Sequence, residues 1–236
     1  MRKPARSKGV SEYSKTPLLR AGFCKQGFRN AMDIDAFILI GGRSSRFGSD
    51  KAFAEFGGKT LVERAVETVE SALSPEKVRF VAGSESQFAA ELIFKLGRPV
   101  VTDLNPGFGA WSGLHTALAY SSSEWTFVLA CDLPFVSAGL IRKLAGWTVE
   151  DVDAIVPLQP DDRLQPLCAF YRRETVLPEI ERRISATGPL PRVAAIFDAV
   201  ITRIVSEEEY ADLPGSERFF KNVNFTHDLP LEIWSM

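Results

Sequence analysis

Ala36-Phe37-Ile38-Leu39-Ile40 is an unbroken apolar run, and it gives way at once to Gly41-Gly42-Arg43-Ser44-Ser45-Arg46-Phe47-Gly48-Ser49-Asp50-Lys51. A short apolar run bounded by glycine reads as a strand buried on both faces, the kind found in a parallel sheet covered by helices. The glycine-rich loop after it suits an anionic guest. Glycines let the backbone approach a ligand and take up positive φ. Successive N–H groups in such a turn form a concave anion site, and Arg43, Arg46 and Lys51 add full charges. A triphosphate fits this chemistry. Neither familiar phosphate motif does: the P-loop requires Gly-Lys-Ser/Thr where this chain has Gly48-Ser49-Asp50-Lys51, and the dinucleotide fingerprint breaks at Arg43. The alternative is a glycine-rich turn with incidental surface cations.

Outward from this loop the pattern alternates strand and helix. Leu61, Ala65, Val69 and Leu73 recur every four residues on a helix that Thr60 can cap. Val78–Ala82 reads as a second strand, and Ser84-Glu85-Ser86-Gln87 as a capping box opening a helix to Leu96. Pro99–Thr102 is a third strand, followed by a helix from a Ser112 cap to Tyr120. Thr126–Ala130 is a fourth strand, and Ser137 starts the next helix. Ala154–Val156 and Leu167–Tyr171 are shorter strands, followed by a helix over Thr175–Ile184, a strand over Val200–Val205 and a terminal helix over Thr226–Ile233. Repeated βα units with near-continuous apolar strands predict an α/β fold, a mostly parallel sheet covered on both faces. Residues 33–236 read as a single domain, with no internal repeat.

Composition narrows the class. At 236 residues, 45% hydrophobic and 25% charged, the chain is an ordinary globular protein with room for a large core. No apolar run nears the ~20 residues of a membrane span. Cys24, Cys131 and Cys168 are odd in number and widely spaced, which suits a reducing cytoplasm and excludes a C-x-x-C metal site. With only His115 and His227, a histidine-rich zinc site or a histidine triad is disfavoured. The net charge of −2 is uneven: residues 1–31 carry +7 and the remainder −9. The basic arm lacks the sustained apolar segment of a secretory signal and reads as a poorly ordered extension, 1–32, with Met32 an alternative start.

In an open sheet of this kind ligands lie outside the carboxyl ends of the strands. The first strand ends in the glycine-rich loop. The third ends in Thr102-Asp103 before Leu104-Asn105-Pro106-Gly107-Phe108-Gly109-Ala110-Trp111-Ser112-Gly113, and the fourth in Cys131-Asp132-Leu133-Pro134. Carboxylates facing a triphosphate call for an intervening cation, and Mg²⁺ takes one or two carboxylates plus phosphate oxygens. Asp132 is the first choice of ligand. Ordinary turn chemistry is the alternative for Asp132 and, more strongly, for Asp103.

Taken in order, these segments resemble the molybdenum cofactor guanylyltransferases (MobA-type). The loop is similar to that family's L-A-G-G-x-S-x-R-M-G-x-D-K, and Asp103 with its glycine-rich sequel to D…G-P-L-x-G. Phe127–Phe135 resembles the segment containing C-D-x-P-[FY], Gln165-Pro166-Leu167 the Q-P-L element, and Phe220–Thr226 the F-x-N-[IV]-N-T-P close. The Asp50-Lys51 pair separates the loop from related cytidylyl- and uridylyltransferases, which usually show Pro-Lys.

The resemblance implies a Rossmann-like three-layer α/β/α domain that transfers GMP from GTP to the terminal phosphate of molybdenum-molybdopterin, with Mg²⁺ and release of pyrophosphate. It implies catalytic roles for Lys51, Asp132 and Arg46, nucleotide contacts from Leu39, Ile40, Gly41, Gly42, Lys51, Asp103 and Asp132, and Asp132 as the metal ligand. Asn222, Asn224 and Arg192 fall on the acceptor side. The implied setting is cytoplasmic, with transient contacts to proteins that supply molybdopterin or mature molybdoenzymes, and with neither membrane nor nucleic acid as partner. Alternatives are a cytidylyltransferase for the same cofactor or another phosphorylated acceptor, and a non-catalytic molybdopterin-binding or insertion partner. Phosphate attacking phosphate needs positioning and charge neutralisation rather than a covalent nucleophile, so Cys131 and His227 read as structural. Three positions depart from the family pattern: Ile40 for alanine, expected to add bulk beside the nucleotide; Ala110-Trp111 for Pro-Leu, with Trp111 free either to stack on a ring or to pack; and Ala82-Gly83 where an asparagine is frequent.

Overall fold

Ile34–Leu39 forms the first strand, β1, with all six residues buried, as its two-faced apolar composition requires. The structure is a computed structural model, and it describes residues 33–41, 51–73, 77–83, 95–148 and 151–222. The described residues belong to one compact unit, Asp33–Met236.

The main sheet contains β1, β4 (Val78–Ala82), β5 (Val100–Thr102), β6 (Trp125–Ala130), β7 (Ala154–Pro157), β8 (Cys168–Arg172) and β9 (Thr202–Val205), in the order β5-β4-β1-β6-β8-β7-β9. Only β8 runs antiparallel to its neighbours. A tight return after β7 reverses the chain: Asp162 adopts φ 60°, Gln159 N–H donates to Arg163 O at 2.8 Å, and Leu158 bridges Leu164. Phe127 on β6 faces Phe170 on β8 with ring centroids 4.6 Å apart, a cross-strand pair that pins the antiparallel register. A two-stranded ribbon, β2 (Glu55–Phe56) and β3 (Lys59–Thr60), lies outside the main sheet.

Helices cover both faces. Ala36, Ile38 and Ile40 point into a core shared with α1 (Leu61–Ala72) and α3 (Ala138–Ala145). Phe37 and Leu39 point the other way, toward α2 (Ala110–Tyr120) and α4 (Arg173–Ser185). Each such large apolar side chain contributes about 1.5–3 kcal/mol on burial. Thr60 caps α1 as expected, in a full capping box with Glu63, and Ser137 caps α3. A short α5 (Glu207–Tyr210) follows β9.

One expected boundary moves. The N-cap of α2 is Gly109, at φ 59°, and Ser112 lies inside the helix. Glycine tolerates that dihedral where serine does not, so the cap falls three residues before the expected serine. The expected helix from Ser84 lies largely, and that over Thr226–Ile233 wholly, outside the described residues, as does the basic arm. Among the described residues no helix is long and apolar enough to cross a membrane.

Candidate active site

The register of the parallel strands builds one row of residues at the carboxyl edge. Leu39 is level with Val81 and with Ala130, and Ala82 with Thr102. Continuing by one or two residues brings Asp103, Gly83, Gly41 and Asp132 side by side across β5, β4, β1 and β6. Backbone bonds hold the row together beyond the strands: Asp103 N–H to Ala82 O at 2.8 Å, Gly41 N–H to Val81 O at 3.2 Å and Cys131 N–H to Leu39 O at 3.1 Å. At about 4.8 Å per strand, three strand steps set the backbones of Asp103 and Asp132 roughly 14 Å apart. The edge is a glycine floor between two acidic walls.

The floor explains Gly41. A Cβ there would lie 2.4 Å from the backbone nitrogen of Gly83, so the missing side chain serves close backbone approach between β1 and β4. Ile40 corrects an expectation: its side chain is 4% exposed and packs in the core shared with α1, so its bulk is turned away from the cleft. Leu39 is buried on the opposite face, where its Cδ1 would meet a Cβ on Gly113 of α2 at 3.0 Å.

On one wall, burial pushes the Asp103 carboxyl above the ordinary value of 3.8, and the Ser112 hydroxyl offsets this only in part. Asp103 Oδ1 and Ser112 Oγ are both buried without a hydrogen-bond partner of proper geometry. A buried carboxylate oxygen left in this state calls for a partner beyond the protein's own groups, such as a water, an ion or a ligand's donor. The loop beyond Asp103 is held from beneath, with Leu104 N–H donating to Thr116 Oγ1 at 3.0 Å and Asn105 Nδ2 2.9 Å from His115 Nδ1. On the other wall, Asp132 is half-buried in the turn that carries β6 into Leu133-Pro134. Among the described residues no three His, Cys, Asp or Glu side chains gather as a ready-made metal cage. A magnesium ion that completes its shell with phosphate and water needs only one or two carboxylates, so the walls fit such an ion.

Trp111 resolves to packing. It is 3% exposed and its Nε1–H donates to Pro191 O at 2.8 Å, so it does not offer a stacking surface to solvent. Arg192, next to Pro191, is exposed. Asn222 is exposed just beyond the packed Phe219 and Phe220, and makes no side-chain hydrogen bond among the described residues. Lys51 opens a 3-10 turn (Lys51–Phe53) after the loop. Gly42, Arg46 and Asn224 lie outside the described residues. The sequence offered no sign of Gly83 as the partner of Gly41 or of Ser112 as the neighbour of Asp103, because both relations are made by sheet order.

Residues 36–200 match the MobA-like NTP transferase domain. The chain belongs to that family. A probable molybdenum cofactor guanylyltransferase of Geobacillus sp. strain WCH70 is 34% identical over 189 residues, covering 79% of this chain and 91% of the relative. A molybdenum cofactor guanylyltransferase of Desulfosudis oleivorans is 28% identical, covering 83% and 92%. Among solved structures, molybdopterin-guanine dinucleotide biosynthesis protein A from Archaeoglobus fulgidus superposes with a TM-score of 0.68 at 27% identity, covering 83% of this chain and 94% of that one. A 4-diphosphocytidyl-2C-methyl-D-erythritol synthase from Anaerococcus prevotii shares the fold at a TM-score of 0.61 with 12% identity. The chain is thus similar to MobA-like transferases in both sequence and architecture, and the carboxyl-edge row falls inside the matched region.

Proposed function

We propose that this nucleotidyltransferase moves GMP from GTP to the terminal phosphate of molybdenum-molybdopterin, forming molybdopterin guanine dinucleotide and pyrophosphate. The observation that carries the reading is the row Asp103-Gly83-Gly41-Asp132 within a MobA-like match covering most of the chain. An oxygen of the acceptor's terminal phosphate forms a bond to the α-phosphorus of GTP. The bond from that phosphorus to the bridging oxygen breaks, and its electron pair leaves with pyrophosphate.

The glycine floor admits the nucleotide close to the backbone of Leu39, Ile40, Gly41 and Gly42. Asp103, with its unpartnered oxygen, receives donors of the nucleoside. Lys51 and Arg46 neutralise the phosphates and the leaving pyrophosphate. Asp132 is the residue to hold a divalent cation, read here as Mg²⁺, which when bound neutralises phosphate charge. The roughly 14 Å between the backbones of Asp103 and Asp132 supports different duties for the two carboxylates, one at the nucleoside and one at the phosphates. Arg192, Asn222 and Asn224 serve the acceptor side. Residues 33–236 constitute the transferase domain, and 1–32 a basic extension. The odd number and wide spacing of Cys24, Cys131 and Cys168 support a reducing, cytoplasmic setting.

Pyrophosphate release measured with GTP, CTP, ATP or UTP, Mg²⁺ and molybdenum-molybdopterin tests this reading. GTP is expected to be the preferred donor. Equal or faster release with CTP would make the protein a cytidylyltransferase, and acceptor binding without release from any donor would make it a binding partner. GTP at a hundredfold its Kd should also raise stability by about 2.7 kcal/mol.

A further inference from the structure

Arg192 is held from both sides yet pairs with nothing among the described residues. Every other arginine among them pairs with a carboxylate or a carbonyl, by hydrogen bond or ion pair. The Arg192 guanidinium has no hydrogen bond, ion pair or ring contact there, and it is exposed. Its backbone, in contrast, is fixed. On the N-terminal side the buried Trp111 indole donates to Pro191 O at 2.8 Å, and Leu190 packs against the α2–α4 core. On the C-terminal side Arg192 O accepts from Ala195 N–H and caps the 3-10 helix Val193–Asp198. That helix is anchored by Phe197, stacked on Tyr171 at 5.9 Å. Trp111 is braced in turn by the Arg183 guanidinium, 5.8 Å from its ring and tied to Glu179. Trp111 also immediately precedes Ser112, the neighbour of Asp103 on the cleft wall.

We propose that Trp111 is a positioning residue, and that its bond to Pro191 presents the Arg192 guanidinium to a phosphate of the acceptor rather than to the nucleotide. The inference rests on the guanylyltransferase reading for the identity of the acceptor. With the backbone already fixed, only the Arg192 side chain remains to be ordered when a phosphate arrives, and that saving is the part of preorganisation that yields affinity.

The test is a double-mutant cycle on Trp111→Phe and Arg192→Ala, read as KM for molybdenum-molybdopterin, KM for GTP, and kcat. W111F keeps an apolar ring and loses the N–H. It should raise the acceptor KM about fivefold, the size of one lost hydrogen bond, with the GTP KM and kcat unchanged. R192A should raise the acceptor KM about ten- to a hundredfold. The double variant should be no worse than R192A alone, because Trp111 acts through Arg192. Multiplying effects, an equal rise in the GTP KM, or an unaltered acceptor KM in W111F would each overturn the proposal. W111L serves as the second variant, and GTP-dependent thermal stabilisation reports that each protein is folded. Equilibrium binding of the acceptor to the same variants repeats the comparison without turnover. A wild-type protein that releases no pyrophosphate would therefore defeat the guanylyltransferase reading alone, whereas equal acceptor affinity in W111F and wild type would defeat the clamp alone.

Discussion

Asp35 and Asp103 stand at opposite edges of the same sheet and are treated in opposite ways. Asp35, 1% exposed at the amino edge of β1, is surrounded by donors: the backbone N–H groups of Ser122 and Ser123 at 2.6 and 3.2 Å, the hydroxyls of Ser121 and Ser122, and Arg79 Nη1 at 2.7 Å. Burial alone would raise its carboxyl, but these bonds, the Ser122 N–H and Arg79 foremost, hold it below the ordinary value of 3.8. Asp103 at the carboxyl edge is half-buried, with one oxygen buried and unpartnered, and its carboxyl is raised. A carboxylate that the fold satisfies is part of the architecture. One that the fold leaves half-satisfied is available to a ligand.

Substitutions at the two edges should therefore separate activity from stability. The largest effect is expected at the carboxyl edge outside this pair: Asp132→Ala should lower pyrophosphate release by about a thousandfold or more, roughly 4 kcal/mol of transition-state stabilisation, with the protein still folded. Retained activity would remove Asp132 from the metal role. At the amino edge, Asp35→Asn should cost about 3 kcal/mol in urea unfolding, because it removes a buried charge from its donors and leaves Arg79 unpaired. GTP affinity per folded molecule should not move. The acid limb sharpens the point. With its folded pKa depressed, Asp35 contributes stability that is fully present above about pH 3.8 and lost as pH falls through the folded value.

The smallest stability effect belongs to Asp103→Asn. A raised folded pKa means that Asp103 favours folding only at low pH, and that this contribution is lost as pH rises from about 3.8 through the folded value. At neutral pH the asparagine variant should be as stable as wild type or more stable by less than about 1 kcal/mol. Its stabilisation by GTP should fall. A variant that is strongly destabilised without ligand would place Asp103 with Asp35 as architecture.

Much of this arrangement was legible in the sequence, and what was not has a common cause. The apolar runs of β1, β4 and β6 and the caps at Thr60 and Ser137 are local signals, and local signals survive folding. Asp103 and Asp132 were legible because a polar residue ending an apolar strand marks the ligand edge of a parallel sheet. Asp35 was not, since an acid at the start of a strand looks like a boundary until Ser121-Ser122-Ser123 arrive from 86 to 88 residues away. The reversal of β8 was hidden for a similar reason, although Pro160-Asp161-Asp162 is turn chemistry in plain view. Ser112 read as a cap on composition and proved to be a neighbour of Asp103.

The bare backbone where Gly41 meets Gly83 has one more consequence. Peptide groups do not change charge between mild acid and mild base, so the floor of the cleft is blind to pH. Any pH dependence of nucleotide binding over it must be written by the walls and by the nucleotide's own phosphates. The floor stays the same whichever protonation state surrounds it.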